Sequence, residues 1–305
     1  MDVVRRTRTS ITPPRLASLP AEREQLEYSS RSLVFANDGA RLLRAWGPPD
    51  APWVLSVAPS GERWRVEAFG ADAPTARAAA RALFSTDHRL EEFYRLVRAE
   101  PTLRGTERRF RGLRIPRDAH VYEALLHAVV GQQLSVRAAH TIKERLLERA
   151  GAFLEVDGVE VPRVPTPAEL RELGMSGLRA TGLSRVKSAS LLALARAVER
   201  GTMPSGESLA SEPLETAVAA LDALPGVDRW TAENALLRGV GRTDVFVAGD
   251  LGIRVALDEY GVLSRSASEE EARAWADRHY PGWGSYATLY LWRKLVADRT
   301  SAATG

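Results

Sequence analysis

The chain has 305 residues and not one cysteine. That excludes disulfides, thiolate nucleophiles, iron–sulfur clusters and Cys-based zinc sites. Lysine is nearly as scarce, with only Lys143, Lys187 and Lys294 present, so chemistry that needs an amine nucleophile has three candidates. No uninterrupted apolar run approaches the roughly 20 residues that a bilayer crossing needs. The opening MDVVRRTRTSITPP is basic but has no apolar core of a secretory signal. These absences give the expectation of a cytoplasmic protein. P-loop, strand-linked G-x-G-x-x-G and H-E-x-x-H patterns are missing as well. The five His residues form no ligand spacing, and Ser135 and Ser285 have no evident base partner.

What is present is unevenly charged. Net charge is only +3, yet residues 101–117, PTLRGTERRFRGLRIPR, carry six Arg against one Glu. The first sixteen residues add four Arg against one Asp, so the remainder is net acidic. Clustered Arg beside an acidic body suits an anionic partner met by one face, nucleic acid among them. Solvated loops have the same composition, so the run decides nothing alone.

Residues 1–24 read as a basic flexible tail. From 25 to 112 short apolar runs such as ARLLRAW, WVLSVAP and RWRVEAFG alternate with GPPDAP and PSGE. Those separators are turn chemistry, and the runs between them predict a small antiparallel sheet with one or two helices. Residues 113–300 have a helical texture, and 301–305 read as a short tail. The expected fold class is α+β, with the β-rich part first and a helical bundle after it.

The stretch LPGVDRWTAEN, residues 224–234, reads as a tight turn between two helices, a hairpin spanning about 216–238. Backbone N–H groups at a helix start have no intrahelical acceptor and form a ready anion site. A Gly such as Gly226 permits close backbone approach. On these residues alone, an ordinary αα-hairpin linking two bundle helices is the better explanation of the pattern.

The hairpin resembles that of the helix-hairpin-helix DNA glycosylase superfamily. LPGVDRWTAENALLRGVGRTDVFVAGD is similar to the alkylation-repair subgroup, 3-methyladenine DNA glycosylase II. VYEALLHAVVGQQLSVRAAHTI, ELGMSGLRATGLSRVKSASLLALA and YPGWGSYATLYLW match further family segments in the same order. The resemblance implies a TATA-binding-protein-like N-terminal sheet and a helical glycosylase region. It also implies a monofunctional glycosylase that flips alkylated purines from duplex DNA and hydrolyses their N-glycosidic bond.

Residue by residue, the resemblance places the essential carboxylate on Asp250, which is also a good N-cap for the helix beginning LGIRV. Arg254, four residues on, is an expected partner for Asp250 or a surface charge. Relatives that also cut the backbone carry Lys where this chain has Trp230, so lyase chemistry is not expected. Trp230, Asn234 and Trp292 would shape the base pocket, although either Trp also suits a core. Asn234 replaces a pocket aromatic, which points toward reading a base edge. Gly226, Val227, Asp228, Arg229 and Thr231 would meet the DNA backbone. Asp228 stands where a Gly is usual, so its charge either repels phosphate or is turned away as a cap. Gln133, with Leu134 as alternative, would be the wedge that fills the emptied duplex, while Gln132 and Gln133 could equally cap helix ends. No cofactor is required, but the family hairpin holds a Na+ or K+ ion, here through the carbonyls of Asp222, Leu224 and Val227. The expected partner is damaged double-stranded DNA, bound by a monomer. A non-catalytic DNA-binding or damage-sensing protein is the alternative.

Overall fold

The computed structural model describes residues 5–13, 35–37 and 41–304. Five antiparallel strands come first: β1 (Arg6–Ile11), β2 (Phe35–Asn37), β3 (Leu42–Trp46), β4 (Trp53–Ser60) and β5 (Arg63–Phe69), in the order β1-β5-β4-β3-β2. The central strands are apolar on both sides, which requires cover on both faces. Leu55, Val57, Trp64 and Val66 pack beneath Ala76, Ala79, Ala80 and Leu83 of α1 (Ala73–Leu83). Asp72 caps that helix through Thr75 N at 2.8 Å.

The opposite face is covered by an element absent from the sequence reading. Leu43, Ala45, Val54 and Phe69 pack against Val156 and Val161 of a hairpin, β6 (Phe153–Val156) and β7 (Val159–Pro162). This corrects the expectation of helix throughout residues 113–300. The signal was there in VDGV, since Asp-Gly between apolar residues favours a two-residue turn with both φ positive. Asp157 and Gly158 take φ of 52° and 78°.

The ends of the chain need correction too. Residues 6–11, read as flexible tail, form strand β1, registered from Arg6 opposite Phe69 to Ile11 opposite Trp64. Glu67, itself buried, accepts from Arg6 at 2.9 Å and Arg8 at 2.7 Å, and Ile11 is buried in the core. The charges that suggested a solvated tail are therefore paired across the ladder. At the other end, residues 301–304 continue the last helix rather than leave it. Residues 1–4 and 14–34, also read as tail and early sheet, lie outside the described residues.

The bundle contains α2 (Leu90–Ala99), α3 (Thr106–Arg109), α4 (Val121–Gly131), α5 (Val136–Ala150), α6 (Pro167–Ala180), α7 (Arg185–Glu199), α8 (Gly206–Ser211), α9 (Leu214–Asp222), α10 (Arg229–Ala235), α11 (Leu251–Glu259), α12 (Glu269–His279) and α13 (Gly284–Thr304). A π-helical turn, Leu236–Val240, extends α10. Helix α4 is apolar almost all round, with Val121, Leu125, Leu126, Val129 and Val130 buried, as a central helix must be. Nothing among the described helices is long and apolar enough to cross a membrane.

Sheet and bundle meet through buried charge. Arg44 of β3 donates to Glu123 of α4 at 2.7 Å and lies 3.6 Å from Asp118, with all three side chains almost fully buried. Burial alone raises the Asp118 carboxyl, but His127, Arg238 and Arg44 outweigh it and hold Asp118 far below its usual range. Asp118, Glu123 and His127 come within 4.8 Å of one another, a grouping not visible in the sequence spacing. Arg44 and Arg238 already supply positive charge there.

His120 caps α4, its Nδ1 accepting from Glu123 N at 3.0 Å, which needs a neutral ring. Burial and nearby Arg44 push its pKa down to about 4, against the pull of Asp118.

Two outcomes follow. Removing one partner of a buried ion pair strands the other, so Arg44→Met should lower the free energy of unfolding by about 3–5 kcal/mol, measured by urea denaturation at pH 7. The unfolded chain protonates His120 near 6.5 and the folded chain near 4. Stability therefore declines as pH falls through that window. His120→Asn keeps a cap acceptor without a titrating ring, so its decline over the same window should be shallower in pH-dependent melts.

Candidate active site and nucleic-acid interface

The turn between α9 and α10 is closed by Val227 N donating to Leu224 O at 3.1 Å. Gly226 sits at φ +82°, and a Cβ there would lie 1.8 Å from Ser190 Oγ of α7. Only glycine lets the hairpin rest on α7 this closely. Asp228 caps α10, its Oδ1 accepting from Thr231 N at 2.8 Å. The acid that stands in place of a small residue is thus turned back onto its own helix.

The predicted backbone-binding residues are brought together, but several are already engaged. Arg229 donates to Glu215 at 2.8 and 2.6 Å and to Glu233 at 2.9 Å. Those carboxylates, Glu215 first, raise its pKa further. The Thr231 amide belongs to Asp228, and Thr231 Oγ1 accepts from Gln132 at 2.8 Å. What the first turn retains is the backbone: the Arg229 and Trp230 amides are its first two donors and have no intrahelical acceptor.

Twenty residues past Trp230, Asp250 stands at the start of α11. Its Oδ1 accepts from Ile253 N at 3.1 Å and from Trp292 Nε1 at 2.8 Å. Its Oδ2 accepts from Trp230 Nε1 at 3.3 Å. Capping and convergence with both indoles therefore coexist in one carboxylate. Helix α13 contributes Trp292 and α10 contributes Trp230, so three separate elements meet at this group. Gly252 makes room: a Cβ there would be 3.0 Å from Asp250 Oδ1 and 3.4 Å from Trp292 Cδ1. Both indoles are half-buried rather than sealed in the core. Arg254 does not pair with Asp250; it donates to the carbonyls of Arg265 at 2.7 Å and Ala267 at 3.1 Å.

Asn234 lies one turn beyond Trp230 and donates through Nδ2 to the Trp230 carbonyl at 2.9 Å. Its carbonyl oxygen and second amide hydrogen are left for a base edge. Behind it, Glu233 is buried between Arg229 and Arg273, at 2.9 and 3.1 Å. Burial raises its carboxyl to about 7 against the pull of both guanidinium groups.

The loop after α4 faces the same hairpin. Gln132 Nε2 reaches Gly226 O at 3.1 Å besides Thr231. Gln133 has φ 53° and is exposed, and Leu134 is 38% exposed. Lys187 of α7 donates to Val130 O at 2.9 Å and Gln132 O at 2.6 Å. The sequence reading missed Lys187 and the bridging role of Gln132, because their partners are backbone carbonyls and a hydroxyl that only the fold brings near them.

The Arg-rich segment 101–117 is less of a charged face than its composition suggested. Arg114 is buried and donates to the carbonyls of Ser85 and His88, both at 2.7 Å. Arg117 donates to Val240 O, and Arg109 pairs with Asp298 at 2.5 Å. Arg104, Arg108 and Arg111 remain exposed.

Comparison with known proteins fits this arrangement. Residues 126–280 match the family described as HhH-GPD superfamily base excision DNA repair protein. A DNA-3-methyladenine glycosylase of Bacillus subtilis is 28% identical over 216 residues, 70% of this chain and 69% of that one. A Mycobacterium tuberculosis protein, a probable bifunctional transcriptional activator/DNA repair enzyme AlkA, is 31% identical over 80% of this chain, which spans only 49% of the relative. Among solved structures, the 3-methyladenine DNA-glycosylase from Archaeoglobus fulgidus superposes with a TM-score of 0.79 at 25% identity, covering 96% of this chain and 98% of that one. With more than half its length matched and its indole-bound aspartate at the mouth of the hairpin, the chain belongs to the HhH-GPD superfamily of base excision DNA repair proteins.

Proposed function

We propose that this protein is a DNA glycosylase that flips alkylated purines of the 3-methyladenine type out of duplex DNA and releases them by hydrolysis, without cutting the strand. The observation that carries the reading is Asp250, held by Trp292 and Trp230 at 2.8 and 3.3 Å. Breaking an N-glycosidic bond builds positive charge on the sugar, as in glycoside hydrolysis. A carboxylate fixed beside that charge stabilises it without reorganising, and can orient or deprotonate the attacking water. Three donors from three elements hold the Asp250 oxygens in place, which favours this role over a cap alone.

The pocket is reached by extruding the base from the stack. The half-buried faces of Trp230 and Trp292 offer stacking surface, and an alkylated purine with a formal positive charge gains roughly 0.5–2 kcal/mol on an aromatic face. The Asn234 oxygen can accept from a base edge, a selectivity that a phenyl ring in its place would lack. Phosphate is met at the hairpin by backbone amides, because Arg229 is committed to two glutamates. The wedge is assigned to Gln133, with Leu134 beside it. A monovalent cation, if bound as in the family, would lie on the carbonyls of Asp222, Leu224 and Val227. The Leu224 carbonyl accepts from Val227 N, and its second lone pair fits that use.

Monofunctionality is supported by where the lysines stand. Trp230 offers no amine, Lys143 stands in the Asp118, Glu123 and Arg238 cluster, Lys187 is engaged by two carbonyls, and Lys294 pairs with Asp298 at 2.7 Å.

The test uses duplex DNA methylated at purine nitrogens and scores free base released. Wild type should release it and leave abasic strands uncut until alkali is added. Asp250→Asn should bind the same DNA and lose at least about a hundredfold in rate. Strand scission without alkali, or an adduct trapped by borohydride, would overturn the monofunctional part. Binding with no release by wild type would favour a damage sensor.

A further inference from the structure

The loop that follows α4 closes its own turn, Leu134 N donating to Gly131 O at 3.2 Å, and is also held from outside. Its carbonyls at Val130 and Gln132 are orphan acceptors at a helix C-terminus, where a cation is favoured. Lys187, in the first turn of α7, donates to both, at 2.9 and 2.6 Å. From the other side, Gln132 grips the hairpin through Gly226 O and Thr231 Oγ1. Helix α7 also carries Ser190, the residue against which Gly226 closes. Loop, hairpin and α7 are thus tied pairwise into a triangle. At the exposed corner Gln133 takes φ 53° as the third residue of the Gly131–Leu134 turn, a conformation that L residues adopt rarely.

We infer that Lys187 and Gln132 are positioning residues that hold Gln133 raised before DNA arrives, so that helix opening and backbone capture are geometrically coupled. This rests on the glycosylase reading and on Gln133 as wedge. A wedge preset in its backbone loses less freedom on insertion than one that must order as it enters. Lys187 touches neither base nor sugar; it acts through the loop. Burial lowers its pKa, in keeping with an ammonium that has exchanged water for carbonyls.

Positioning predicts a defect that depends on how much work the wedge must do. Base extrusion is easiest when the lesion is unpaired. Single-turnover rates would be measured on duplexes with one 7-methylguanine, paired with cytosine or placed opposite an abasic site, with 2-aminopurine beside the lesion to report unstacking. Lys187→Met should lose about tenfold to a hundredfold on the paired duplex, the range of a charged hydrogen bond. It should lose less than about threefold on the unpaired one. The rise in 2-aminopurine fluorescence should weaken in parallel. Lys187→Arg, which can still reach two carbonyls, should recover most of the loss.

Equal losses on both duplexes, or none on either, would overturn the inference, as would a fluorescence rise unchanged by Lys187→Met. A lowered melting temperature with equal losses would mark Lys187 as merely structural. Should wild type release no base at all, the glycosylase reading fails separately. The fluorescence comparison of wild type and Lys187→Met then still decides whether the loop opens the duplex.

Discussion

Three N–H groups converging on the Asp250 carboxylate set the geometry on which the helical half depends. One comes from the start of α11, one from the indole on α10 and one from the indole on α13. A carboxylate free to rotate would satisfy its cap in several ways. With Trp292 sharing Oδ1 and Trp230 on Oδ2, one orientation satisfies all three. Gly252 is the sequence-level concession that makes this possible, since any side chain there would crowd both the acid and the indole. The hairpin is therefore located relative to the acid by the same indole that offers a stacking face.

Charge in the hairpin is managed inward. Asp228 turns to its own helix, and Arg229 is enclosed by Glu215 and Glu233. The surface that remains for an anion is made of amides, which position a phosphate without selecting any base. On the proposed reading selectivity is left to the pocket, where Asn234 has one amide hydrogen tied to the Trp230 carbonyl.

The α+β layout, the hairpin and Asp250 were all legible in the sequence, because they rest on turn residues, helix periodicity and a motif. What escaped reading was decided by distant partners. Strand β1 looks like a charged tail until Glu67, some sixty residues away, is placed beside Arg6 and Arg8. Arg114 and Arg117 look like surface until carbonyls of other segments surround them. The β6–β7 hairpin is the exception, since Asp157-Gly158 announced it locally and the helical texture on either side masked it. Lys187 is the opposite case: its role lies wholly in backbone oxygens brought near it by the fold.

Helix α4 has a further consequence when regarded mechanically. One end is seated on the sheet, through Glu123 against Arg44. The other end carries the Gln133 loop and is braced by Lys187. Eleven residues span about 16 Å. A load on the loop would pass along that strut into the sheet, whose two faces are both backed, by α1 and by the β6–β7 hairpin. On the proposed reading the N-terminal domain, whose described residues contribute no group to the site, would be the abutment against which the duplex is pushed open.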